Sequence, residues 1–198
     1  FAEKVLPKLR ELDTVVVVNV CGAEDDEYLA VVEFLDREDG IAAYELNISC
    51  PNVKKDGVCP ALFPEPTYHL VKRVKSVSRR PVITKLSPNV TNIAEIASAA
   101  EEAGTDAVSL VNTFLAMAID IETRRPRLAN TFGGLSGPAI RPLAVRMVYQ
   151  VASQAKVPVI GMGGIMTGAD ALEFLVAGAS AVEVGTANFV APDAAVRI

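Results

Sequence analysis

Residues 45–52 read Glu45-Leu46-Asn47-Ile48-Ser49-Cys50-Pro51-Asn52, an apolar run that ends in a cysteine flanked by amides. Alternation from Tyr44 to Ser49 puts Tyr44, Leu46 and Ile48 on one face of a strand and Glu45, Asn47 and Ser49 on the other. The second face is therefore polar toward the strand's C-terminal end. Pro51 disfavours helical dihedrals at Cys50, which leaves the thiol on extended chain just past the strand. A free cysteine is ordinarily a buried structural residue. Two amides close to this one point instead to a polar group bound beside it, since an apolar pocket has no use for them.

Working outward, strand-like and helix-like segments alternate. The β-branched run Val15 to Val20 is followed by an amphipathic helix at Asp25 to Leu35, and Ala43 to Ser49 by a helix at Thr67 to Ser78. Pro81 to Ser87 is followed by Asn92 to Ala103, with Gly104 as C-cap. Ala107 to Thr113 leads through an arginine-rich inserted loop or hairpin, Asp120 to Asn130, to a helix at Ile140 to Ala155. Pro158 to Gly164 and Ala181 to Ala187 are strands on either side of a helix at Ala169 to Ala177, which Gly178 ends. Phe1 to Leu12 has helical spacing, kinked or started by Pro7. Apolar strands alternating with helices mean a parallel, covered sheet.

Polar or glycine residues gather at the C-terminal ends of these strands: Asn19, Asn47, Lys85, Asn112, Gly163 with Gly164, and Gly185 with Thr186. In a (β/α)8 TIM barrel those ends form the active-site face. A doubly wound open sheet binds at one switch point and does not require polar ends on every strand. The expected fold is thus α/β, a TIM barrel represented by about six of its eight βα units. A whole barrel usually takes about 250 residues, so residues 1–198 are expected to be one domain truncated at both ends, without two N-terminal units and a closing C-terminal helix.

The 198 residues are 51% hydrophobic, enough for one core, and carry a net charge of -5. With a pI near 5.0, a nucleic-acid surface is disfavoured, because such a surface wants a basic stripe. No apolar run approaches the roughly 18 residues of a membrane span, and a soluble cytoplasmic protein is expected. Cys21, Cys50 and Cys59 form no CxxC pair, so neither a disulfide framework nor a metal site is encoded. The single histidine, His69, reads as a surface residue of a helix, which leaves a histidine-centred triad without support.

Gly161-Met162-Gly163-Gly164-Ile165-Met166-Thr167-Gly168 follows one strand and opens a helix, and Gly185-Thr186 follows the next strand. Late loops of a barrel often hold phosphate against backbone amides and a helix N-terminus. Such glycines can also serve only as tight turns; two adjacent loops favour phosphate. The dinucleotide fingerprint fails, because Met166 stands where its third glycine belongs. Lys85, inside an apolar strand, must be paired or face a bound anion, and Glu45 across the lumen is its candidate partner. The turn Gly133 to Pro138 does not satisfy GxSxG. Arg124, Arg125 and Arg127 read as a solvated loop.

Assembled in order, NISCPNVK (47–54), TKLSPNVTNI (84–93), LVNT (110–113), GGLSGPAIRPLA (133–144), PVIGMGGI (158–165) and GASAVEVGTA (178–187) resemble the catalytic subunit of class 1 dihydroorotate dehydrogenases, most of all the NAD-linked class 1B form. The resemblance implies an FMN-binding barrel that oxidises dihydroorotate to orotate in pyrimidine (UMP) synthesis, with Cys50 as catalytic base. By the same resemblance Asn19, Lys85, Val111, Gly137, Gly163, Gly164, Gly185 and Thr186 match flavin-contacting positions. Asn47 matches a position shared by flavin and substrate, Asn112 and Thr113 match substrate positions, and Asn52 a further substrate contact. It also implies a partner electron-transfer subunit carrying FAD and a 2Fe-2S cluster, around a homodimeric core of a heterotetramer. The stretch from Lys55 to Pro64 departs from the glycine pair and phenylalanine-glycine step usual in the family.

The chemistry fits these residues independently. Forming the ring double bond removes a proton from one carbon and passes hydride to the flavin from its neighbour, so a base and a flavin must flank the substrate. An unperturbed thiol titrates near pH ~8.5, so turnover is expected to rise with pH through that region. The competing readings are a fumarate-using class 1A enzyme, another FMN-barrel oxidoreductase, and a truncated barrel that binds flavin or orotate without catalysis.

Overall fold

The computed structural model describes residues 1–49 and 60–198. Among the described residues ten strands occur in chain order: β1 (Val17–Val20), β2 (Ala43–Asn47), β3 (Val82–Lys85), β4 (Ala107–Leu110), β5 (Phe114–Ala116), β6 (Ile119–Asp120), β7 (Arg125–Pro126), β8 (Gly133–Leu135), β9 (Val159–Met162) and β10 (Ala181–Glu183). Six of them form one sheet in the order β1-β2-β3-β4-β9-β10, with every neighbouring pair parallel. Spatial order follows chain order, as in successive βα units of a barrel.

Helices return the chain between strands: α1 (Leu6–Leu9), α2 (Asp25–Leu35), α3 (Pro64–Val77), α4 (Ile93–Glu102), α5 (Arg141–Ala152) and α6 (Gly168–Val176), then α7 (Ala187–Val190) and α8 (Ala194–Arg197). Their starts follow from local chemistry. Asp25, Asp26 and Glu27 fill the first turn of α2, where the helix dipole favours negative charge. Asn92 caps α4 by accepting from the Ala94 N–H at 3.2 Å. Thr167 and Asp170 form a reciprocal capping box at α6.

Register divides the sheet into two faces. Tyr44 and Leu46 lie beside Val82 and Thr84, and these beside Val108 and Val159, all buried under the helices. Buried residues of α2 (Tyr28, Val32, Leu35), α3 (Leu70, Val71, Val74) and α5 (Ala144, Met147, Val148, Val151) meet them. Each fully buried aliphatic side chain in this layer stabilises the fold by about 1.5–3 kcal/mol. Gly161 belongs to the same layer, and a Cβ there would stand 2.6 Å from Phe174 Cδ1 of α6. The opposite face carries Asn19, Glu45, Asn47, Lys85, Ser109 and Glu183. It is concave: Lys85 on β3 and Glu183 on β10 come within 3.6 Å although β4 and β9 lie between their strands. Strands are spaced by about 4.8 Å, so a flat sheet would hold the two backbones roughly 14 Å apart.

Three expected elements differ. Only Leu6–Leu9 of the segment Phe1 to Leu12 is α-helical, because Pro7 fits only the first turn and Leu6 is the one helical residue that is buried. β10 stops at Glu183, and the residues after it coil into α7 and α8 rather than extending the strand to Ala187. The insertion is wider than Asp120 to Asn130: β5 pairs with β8 and β6 with β7, two antiparallel ribbons across residues 114–135. Among the described residues no helix is long and apolar enough to cross a membrane.

Candidate active site

Glu45 is the hub of the concave face. Its Oε1 accepts from Ser109 Oγ at 2.7 Å, and its Oε2 from Lys85 Nζ at 3.2 Å and from Asn19 Nδ2. Glu183 joins the group through the same ammonium, its Oε2 lying 3.6 Å from Lys85 Nζ. Lys85 is thus paired, but Glu45 reaches it from the adjacent strand; the partner from across the lumen is Glu183, which the sequence reading missed. A signal existed, since Glu183 interrupts an apolar strand just as Lys85 does.

Burial drives both carboxyls up, with different outcomes. At Glu45 the Lys85 ammonium and the hydrogen bonds of Ser109, Glu183 and Asn19 outweigh burial and hold it below the usual carboxylate range. At Glu183 burial and the neighbouring Glu45 charge win over Lys85, and its carboxyl is pushed up to about 7.

A chain of amides runs from this hub along the strand ends. Asn47 Nδ2 donates to Asn19 Oδ1 at 3.4 Å, Asn112 Nδ2 to Asn47 Oδ1 at 3.0 Å, and the Thr113 N–H to Asn112 Oδ1 at 2.8 Å. Asn89, also absent from the sequence reading, fixes the segment beyond: it donates to Thr113 O at 3.0 Å and accepts from the Leu115 N–H at 2.9 Å.

Beside these residues opens a cleft of about 190 Å³. Lys85, Val111, Asn112, Thr113, Gly163, Gly164, Glu183, Gly185 and Thr186 are among its walls. Asn47 stands one hydrogen bond behind Asn112, and Asn19 one further back. Gly137 supports the wall from outside: its carbonyl oxygen would lie 2.6 Å from a Cβ on Gly164. Thr186 Oγ1 donates to Ser136 Oγ at 2.8 Å, tying the last loop to the turn that contains Gly137. Cys50 and Asn52 lie outside the described residues.

The glycine turns suit an anion. A Cβ on Gly185 would meet nothing within 4 Å, so that position faces open space. The amides of Gly164, Gly185 and Thr186 take no main-chain acceptor among the described residues. Two amides just before α6, by contrast, are already occupied. Asp170 Oδ2 accepts the N–H groups of Met166 at 3.0 Å and Thr167 at 2.9 Å, while its Oδ1 pairs with Arg141. The open amides lie earlier in the same loop, at Gly163-Gly164, and at Gly185-Thr186.

The sequence profile of the family described as Dihydroorotate dehydrogenase matches residues 1–198. The chain belongs to the dihydroorotate dehydrogenase family. Relatives named dihydroorotate dehydrogenase B (NAD(+)), catalytic subunit, include one from Geobacter sulfurreducens, 56% identical over 198 residues, with 100% of this chain and 65% of the relative covered. Another, from Desulforudis audaxviator, is 56% identical over 194 residues, covering 98% of this chain and 63% of the relative. The chain thus spans about 65% of the length of such relatives. A crystal structure of DHODH from Eimeria tenella in complex with ferulenol superposes with a TM-score of 0.76 at 24% identity, over 98% of this chain and 61% of that one. Its likeness bears on the fold, the barrel of the dihydroorotate dehydrogenase family.

Proposed function

We propose that this chain is the catalytic part of a dihydroorotate dehydrogenase that oxidises dihydroorotate to orotate in pyrimidine synthesis, with FMN as hydride acceptor. One observation carries the reading: Lys85, Asn112 and the glycine turns at Gly163-Gly164 and Gly185-Thr186 converge on a single cleft at the C-terminal end of a parallel sheet. The open space at Gly185 and the open amides fit a phosphorylated flavin.

In this reading residues 1–198 act as one flavin-binding domain. FMN, when bound, supplies a two-electron acceptor. The glycine turns hold its phosphate, and Lys85 offers positive charge toward its ring, with Asn19, Val111 and Gly137 shaping the same site. Asn47, Asn52, Asn112 and Thr113 hold the substrate's carboxylate and ring amides. Cys50 accepts the proton from one ring carbon as hydride leaves the adjacent carbon, so two C–H bonds break and one C=C bond forms. The relatives' names support NAD as final acceptor. An electron-transfer subunit with FAD and a 2Fe-2S cluster would connect the two in the cytoplasm, on a homodimeric catalytic core.

Anaerobic mixing of the flavin-loaded protein with dihydroorotate tests the reading. Flavin absorbance should bleach, and Cys50→Ala should slow bleaching by about 10²–10⁴-fold while flavin remains bound. Bleaching at the unaltered rate in that variant ends the assignment of the base. Reoxidation by fumarate without a partner would favour the class 1A alternative.

A further inference from the structure

The reaction proposed above leaves one charged wall residue unused. Glu183 ends β10 and faces the cleft beside Lys85, with its side chain 37% exposed, while Glu45 behind it is 7% exposed. Among the described residues the groups facing the two acids can be named. β3 presents Lys85; β1 and β4 present neutral donors, Asn19 and Ser109; β9 presents Met162 in register with Glu183. Among the described residues one ammonium therefore serves two carboxyl groups. Glu45 accepts from Asn19, Ser109 and Lys85, an environment made for an anion. Two acids held at 3.2 and 3.6 Å from one ammonium cannot both ionise cheaply, and the proton falls to Glu183, the one with fewer donors around it.

We infer that Glu183 is a positioning residue of the redox site: it and Glu45 hold one proton between them, and that proton governs how much of the Lys85 charge is offered to a bound flavin. The inference rests on the flavin reading of the cleft. With the proton in place, Lys85 is balanced by Glu45 alone. Once it is lost, two carboxylates face one ammonium and the floor of the cleft becomes net negative, which opposes negative charge arriving with the two electrons. The carboxyl of Glu183, at about 7, places this change near neutrality.

The test compares wild type with Glu183→Gln, which can still donate to Glu45 but cannot ionise. With flavin bound and the solution potential fixed by a redox dye, the ratio of reduced to oxidised flavin is read at about pH 6 and about pH 8.5. The two proteins should agree within about twofold at the lower pH. At the higher pH the variant should be the more reduced, by up to about tenfold per unit of pKa separation. Equal ratios at both pH values, or a difference as large at about pH 6, would overturn the inference. A second measurement needs neither flavin nor a folded variant: carboxyl-carbon NMR of glutamate-labelled wild-type protein should show one carbon titrating near neutrality. If every glutamate carbon titrates below about pH 5.5, the shared proton does not exist. A protein that takes up no flavin ends the proposed function, while the carbon titration still decides whether the acids share a proton.

Discussion

Asn112 donates to Asn47 at 3.0 Å, joining the ends of β4 and β2 past the strand that lies between them. In the proposed enzyme both amides orient substrate, so Asn47→Ala and Asn112→Ala should each lower turnover by about 10²-fold, the scale for removing a preorganised donor. Because they act through a shared contact, the double variant should fall short of the product of the single effects. Coupling of about 0.5–3 kcal/mol from a double-mutant cycle is the expected result, and strict additivity would count against a connected pair.

Gly164 has a φ of +77°, and a Cβ there would lie 2.6 Å from the Gly137 carbonyl oxygen. Gly164→Ala should cost about 1–3 kcal/mol from backbone strain, and more from the clash. For a chain of this size each kcal/mol lowers Tm by roughly 2–4 °C. Calorimetry checks that, and the flavin content of the purified variant checks whether the turn also shapes the cofactor site.

Asp170 spans two jobs, accepting the Met166 and Thr167 amides and pairing with Arg141. Burial alone would raise its carboxyl, but these donors and the Arg141 charge hold it below its ordinary 3.8. The stabilisation is therefore complete above that ordinary value and is lost as pH falls through the lower folded-state one. Asp170→Ala should cost about 2 kcal/mol at neutral pH. In urea titrations the gap from wild type should narrow as the solution is made strongly acidic.

Tyr44 sits in a buried cluster, donating to Asp36 Oδ1 at 2.8 Å and accepting from Arg80 Nη1 at 2.9 Å. Burial, then the hydrogen bond and charge of Asp36, push its phenol from 10.0 to about 12 despite Arg80. The folded state thus favours the neutral phenol, so this contribution is complete below about pH 10 and declines as pH rises through about 12. Tyr44→Phe should cost about 1–3 kcal/mol at neutral pH and remove that part of the alkaline decline. Unfolding curves between pH ~9 and ~11.5 would expose it.

What could be read beforehand followed periodicity. The helix at Asp25–Leu35 emerged with its observed limits, because its acidic first turn and the spacing of Tyr28, Val32 and Leu35 are both local signals. The polar strand ends were legible for the same reason, and the described ones do share the rim of one sheet. The β6–β7 ribbon fits the loop or hairpin expected at Asp120 to Asn130, but the β5–β8 ribbon around it left no trace, since strands of two or three residues carry no period to detect. Glu183 escaped because its meeting with Lys85 depends on how far the sheet curls over four strands, a tertiary quantity with no local trace.

The side-chain relay from Thr113 through Asn112, Asn47 and Asn19 to Glu45 has one direction only. At one terminus a peptide N–H can give but never receive; at the other an ionised carboxylate can receive but never give. No amide between them can swing over without breaking two links, so every dipole is locked head to tail with its hydrogen side turned toward Glu45. A main-chain group at the rim of β4 thereby helps decide which acid of the pair keeps the hydrogen, and a change as small as one asparagine becoming an aspartate would turn that polarity against itself.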